Sequence, residues 1–201
     1  DLGPERPTRA ALETLYEKAE RWSDLAETLE VDLSLAEETA DQLDLQARLG
    51  DVRRPHQHDL PGALEAYRQA LLLDPSNARC RSALESMIDL PDARKDAAET
   101  LHPLYEADGD SERFLRVLEI QVDTTDAIPA RLALLETAIR TAEGPLGDSG
   151  RAFGYAVRGV KTAAGESDIA KWIDTVERLA ESKGSWAELS TLYRGIVDDI
   201  L

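Results

Sequence analysis

The chain has 201 residues, enough for a large buried core, and carries 40 acidic against 23 basic side chains for a formal charge of −17. A surface of that sign repels phosphate backbones, which argues against nucleic acid and anionic membrane as partners and favours a basic protein or peptide. One cysteine, Cys80, permits no intrachain disulfide, and no apolar run approaches the roughly 18 residues of a membrane helix, so no membrane insertion and a cytoplasmic location are the expectations.

Apolar residues recur at a 3.6-residue period and nowhere alternate at two, which predicts an all-α protein. In chain order the pattern gives five antiparallel helix pairs. The first runs over 8–20 and 22–34, with Leu12, Tyr16, Trp22, Leu25 and Leu29 on its apolar faces. The second covers 38–52 and 60–73. Its second helix carries Ala63, Tyr67 and Ala70 at i, i+4, i+7 before Asp74-Pro75 stops it. The third spans 77–107 and 111–123, the fourth 129–143 and 148–163, and the fifth 167–183 and 185–200, with Trp186 at its second-helix corner as Trp22 is in the first. These define units of about 8–34, 38–73, 77–123, 129–163 and 167–200, in one repeat domain over 1–201.

The pairs are copies of one another. Leu12, Leu15, Tyr16, Glu17, Leu29 and Glu30 return 89 places later as Leu101, Leu104, Tyr105, Glu106, Leu118 and Glu119. The same shift carries Asp59 and Ala63 onto Asp148 and Ala152, and Leu84, Met87 and Leu90 onto Ile173, Val176 and Leu179. Repetition of a helical unit is the signature of a stacked array. Trp186 lies 75 residues beyond Ser111, whereas Ser111 lies 89 beyond Trp22, so the third unit holds 14 extra residues. They fall near 89–103, where Pro91 and Pro103 predict an extra short helix or a sharp kink. The opening resembles an inter-unit segment and IVDDIL keeps apolar residues a further repeat could cover, so the chain reads as an excerpt of a longer array.

The second unit carries the most specific signal. Leu49-Gly50, then Ala63, Tyr67, Ala70 and Pro75, resemble the tetratricopeptide-repeat (TPR) pattern, with Tyr in place of Phe. The resemblance covers nearly the whole chain and is weakest in the fourth unit. It implies a right-handed TPR-like superhelical solenoid whose first helices line a concave face. The 18 Arg against five Lys read, on codon usage, as a high-GC bacterial source.

Chemistry is mostly absent from the pattern. His56 and His58, near Asp51 and Asp59, lie in a proline-bounded loop and lack the convergent ligand set of a metal site. Glu85-Ser86 matches a dipeptide used by glycan-cleaving enzymes with superhelical bodies, but it sits on an ordinary repeat helix. No catalytic residue, metal or cofactor is assigned. Projected onto first helices, Asp96, Glu99, Glu106, Glu136, Arg140, Asp174 and Arg178 are the candidate partner-binding residues. Should the site be apolar instead, the turns around Trp172 and Trp186 are its candidates. Three functions remain open: a non-catalytic protein-interaction scaffold, a spacer or docking segment of a larger protein, and the body of a cell-wall glycan-cleaving enzyme.

Overall fold

The structure, a computed structural model, describes residues 6–200 and, of the side chains, those of residues 8–182, 184–191 and 193–195. The protein is all-α, with 81% helix and no strand among the described residues. The helices are α1 (Arg6–Lys18), α2 (Trp22–Leu35), α3 (Thr39–Val52), α4 (Leu60–Leu73), α5 (Ala78–Met87), α6 (Arg94–Asp108), α7 (Ser111–Thr124), α8 (Ile128–Glu143), α9 (Ser149–Thr162), α10 (Ile169–Lys183) and α11 (Trp186–Ile200). None is long and apolar enough to cross a membrane among the described residues.

Most boundaries follow from capping. Asp59, Asn77, Asp110 and Asp148 each accept a hydrogen bond from the backbone N–H three residues on, at 2.9–3.1 Å, and so open α4, α5, α7 and α9. Such a side chain satisfies one of the four donors that a helix N-terminus leaves unpaired. Between α3 and α4 the chain widens into a π-helical turn, Arg53–Gln57, where Pro55 has no N–H to offer the preceding turn.

Ten paired helices, with an extra short helix or a kink near 89–103, were expected, and eleven α-helices are found among the described residues. The expected 77–107 helix is two, α5 and α6, separated by the turn 88–93. The 14 extra residues are therefore mainly α5, a complete short helix with Cys80, Leu84 and Met87 fully buried. Pro103 lies inside α6 on an exposed position, and the helix runs through it.

Two compact units make up the chain, the first ending at Leu101 and the second beginning at His102, within α6. In each, helices adjacent in sequence pack on one another: α1 through α5 in the first, α7 through α11 in the second. The first unit's core joins Leu25, Leu29, Leu45, Leu49 and Val52, with Tyr16 and Trp22 against it. In the second, Leu118, Leu135, Ala156, Trp172 and Leu179 are buried.

Some residues 89 apart have the same jobs. Asp59 and Asp148 are both N-caps, and Ala63 and Ala152 are both fully buried. The turn after α1 also recurs. Glu20, Gly109 and Gly184, spaced by 89 and 75, are all left-handed, with φ of 54°, 68° and 73°. In each case the next residue's N–H reaches back five places: Arg21 to Tyr16, Asp110 to Tyr105 and Ser185 to Ala180, at 2.8–3.1 Å. This is one helix C-terminal motif used three times, immediately before α2, α7 and α11.

Candidate binding surface

Several ion pairs inside each unit share one spacing, beside others, such as Arg9–Asp32 and Asp51–Arg79, that do not. In the first, Glu13 on α1 meets Arg48 on α3 at 2.6 Å, and Asp44 on α3 meets Arg79 on α5 at 3.8 Å. In the second, Asp123 on α7 meets Arg158 on α9 at 2.5 Å. Glu136 and Glu143 on α8 meet Lys171 and Arg178 on α10 at 2.5 and 2.7 Å. Every one of these pairs joins an acid to a base 35 residues later, two helices on. Arg178 holds the Glu143 carboxyl below its usual range by hydrogen bonding first and by charge second. Exposed pairs of this kind contribute roughly 0–1 kcal/mol each, so they record register more than they supply stability.

This register divides the candidate residues. Glu136 and Arg178 are consumed by Lys171 and Glu143, and Arg140 turns back to the Thr137 hydroxyl at 3.0 Å. Asp96 and Glu99 are exposed on the first unit's part of α6 and make no ion pair; Glu106 on its second-unit part and Asp174 on α10 are likewise exposed and unpaired. Within the second unit, Glu136, Arg140 and Arg178 are thus engaged by neighbouring side chains while Glu106 and Asp174 are not. Projection onto helical faces could not foresee this, because the pairing depends on the neighbouring helix.

The loop candidates are occupied elsewhere. His56 stacks on Trp22, ring centroids 3.6 Å apart and 10° from parallel, and Asp59 caps α4. Asp51 accepts from Tyr67 Oη at 2.6 Å and pairs with Arg79. Among the described residues no group of three or more His, Cys, Asp or Glu could hold a metal. Cys80 is fully buried, and burial pushes its thiol up to about 11. The expectation of an exposed turn at Trp172 is wrong. Its ring is 2% exposed, wedged against Gly159, whereas Trp186 at the start of α11 is 56% exposed.

Sequence reasoning did not foresee one cavity of the first unit. At the C-terminal end of α2, a cavity of 170 Å³ is lined by Arg9, Ala10, Glu13, Asp32, Leu35, Ala36, Asp41, Asp44, Leu45 and Arg48. Glu13 and Asp32 are buried, 7% and 9% exposed, and each is held by an arginine: Glu13 by Arg48, Asp32 by Arg9. Burial, then a hydrogen bond to Asp32, raises the Glu13 carboxyl above its ordinary value despite Arg48. The signal that could have found it was the 35-residue spacing of Glu13 and Arg48.

No protein-family model matches the chain, and no curated protein is significantly similar to it.

Proposed function

We propose that the chain is a right-handed TPR-like solenoid that acts, without catalysis, as an interaction scaffold for a basic protein or peptide. The observation that carries this is the recurrence of one turn and one ion-pair register. A 35-residue spacing between ion-paired helices two apart matches the helix-pair unit of about 34 residues that defines the repeat that residues 38–73 resemble. Stacked helix pairs expose a long preformed surface, so a partner binds without the scaffold losing much backbone entropy. The unpaired acids on α6, in a chain of charge −17, suit a partner of opposite sign.

The test is capture of a stoichiometric partner by the full chain, followed by association kinetics at low and high salt. Reversing Asp96 and Glu99 to Lys is expected to lower the association rate roughly 3–10-fold at low salt and to change dissociation little, because exposed charges mainly steer encounter. Reversing Glu27 and Glu37, exposed acids on and just after α2, is the matched control. Equal losses from both pairs would reduce the effect to net charge and remove the α6 surface. If the isolated chain captures no partner and docks only within a longer protein, the spacer function replaces the scaffold.

A further inference from the structure

A larger cavity of the first unit lies beside the π-helical turn, which contributes Arg54 and Pro55 to it. It measures 480 Å³ and is completed by Asp51, Leu60, Tyr67 and Leu90. That size falls within the roughly 300–1,000 Å³ of small-molecule sites, which are mostly apolar with a few placed polar groups. The two charged residues differ in what is left to them. Asp51 is engaged at both oxygens: Oδ1 accepts from Tyr67 Oη at 2.6 Å, and Oδ2 accepts from Arg79 Nε at 2.7 Å and from Arg79 Nη2. Arg54 donates through one nitrogen only. Its Nη1 reaches the Ala83 carbonyl at 3.3 Å and the Ser86 hydroxyl at 2.6 Å, both neutral. Its Nε and Nη2 have no partner among the described residues. By contrast Arg9, Arg21, Arg48, Arg53, Arg68 and Arg79 each meet a carboxylate. Nε and Nη2 form the side-on edge of a guanidinium, which takes a carboxylate through two parallel bonds, as Arg79 takes Asp51. The widened turn explains the placement. It sends the consecutive Arg53 and Arg54 to different helices, Arg53 to Glu30 on α2 and Arg54 to Ser86 on α5.

We infer that this cavity binds a small monocarboxylic acid with an apolar body. The carboxylate lies on the unpartnered edge of Arg54, and the body lies against Pro55, Leu60 and Leu90. The Nη1 bonds to α5 already hold the guanidinium in place, so little side-chain freedom is lost when the acid binds. A ligand with a single polar end fits best. Asp51 and Tyr67 Oη are paired with one another and Pro55 has no N–H, so a peptide backbone would set its own N–H and C=O groups against walls that leave them unsatisfied. The chain's charge of −17 does not oppose this contact strongly. Exposed charges are largely screened beyond about 8 Å at physiological ionic strength, whereas the carboxylate would touch Arg54 directly. The site needs no protein partner and stands or falls apart from the scaffold function.

The probe is 3-phenylpropionate, titrated into the full chain at constant ionic strength and pH 7 and followed by amide NMR shifts. Its amide, 3-phenylpropanamide, has the same body without the charge, and acetate has the charge without the body. Saturable shifts centred on the amides of Arg54, Leu60 and Leu90 are expected with 3-phenylpropionate. Both controls should bind at least roughly tenfold more weakly, one decade in the binding constant. Arg54→Gln should lose about tenfold, and Arg54→Lys, which keeps the charge without the fork, about threefold to tenfold. Because both changes also remove the bonds to α5, Leu90→Ala is the independent variant. It leaves Arg54 and its partners in place and should weaken binding about threefold by removing part of the apolar wall. Shifts centred elsewhere on the chain, equal binding of either control, or unchanged affinity in Arg54→Gln or in Leu90→Ala would overturn the site. Tighter binding of N-acetylglycyl-phenylalanine, a peptide with a free C-terminus, than of 3-phenylpropionate would overturn its assignment to a small acid.

Discussion

Gly159→Ala is expected to destabilise the second unit by about 3 kcal/mol, the upper end of what overpacking a core ordinarily costs. A Cβ at this position would lie inside the van der Waals envelope of the Trp172 ring, with Cε3, Cζ3 and Cδ2 the nearest atoms. The ring is 2% exposed and has no solvent side to move toward, so either α9 and α10 separate or Trp172 leaves its rotamer. Gly154 on the same helix is the control. Nothing lies within 4 Å of a Cβ built there, so Gly154→Ala should be neutral or stabilising by up to about 1 kcal/mol through helix propensity alone. Urea denaturation followed by circular dichroism distinguishes the two. Placing Gly159→Ala in a Trp172→Leu background should recover part of the loss, a coupling of about 1–2 kcal/mol for residues in direct contact.

Tyr67→Ala should cost the first unit about 3–5 kcal/mol, as loss of a large buried aromatic does. Tyr67 is 1% exposed between α3 and its own helix, α4, and its ring fills the space that Gly50 leaves. A Cβ on Gly50 would sit 2.5 Å from Tyr67 Cε1, so the Leu49-Gly50 and Tyr67 positions of the repeat pattern are two halves of one contact. Burial, and next the hydrogen bond to Asp51, push the phenol well above its ordinary range. Tyr67→Phe isolates the hydroxyl. It should cost only about 1 kcal/mol, the net worth of a hydrogen bond, because Asp51 keeps Arg79 as a partner. A Tyr67→Ala loss no larger than that of Tyr67→Phe would mean that the ring packs against nothing essential.

The helices were legible because their signals are local. Apolar period, Asp and Asn caps, and the Asp74-Pro75 stop lie within a few residues of what they control, and the 89-residue echo aligned Asp59 with Asp148 before either was seen to cap a helix. The offset difference of 14 pointed to an extra short helix or a kink but placed it near 89–103 and not at α5, because Leu84 and Met87 suit one long helix as well as a broken one. The binding surface was least legible. Glu136 looks like Glu99 in sequence, and only the approach of α10 brings Lys171 onto one and not the other. The buried Glu13 and Asp32 pair was hidden for the same reason: acids on amphipathic helices read as solvated until a neighbouring helix covers them.

The repeat register can be tested at a single bond. Lys171 Nζ and Glu136 Oε1 are 2.5 Å apart across α8 and α10, close enough for a carbodiimide to join them without a spacer. Zero-length cross-linking of the folded chain, mapped by mass spectrometry, should give a Glu136–Lys171 amide that disappears in urea. Lys171 linked only to the acids of its own segment, Asp168 and Asp174, with nothing from α8, would contradict the ion-pair spacing on which the proposed scaffold rests.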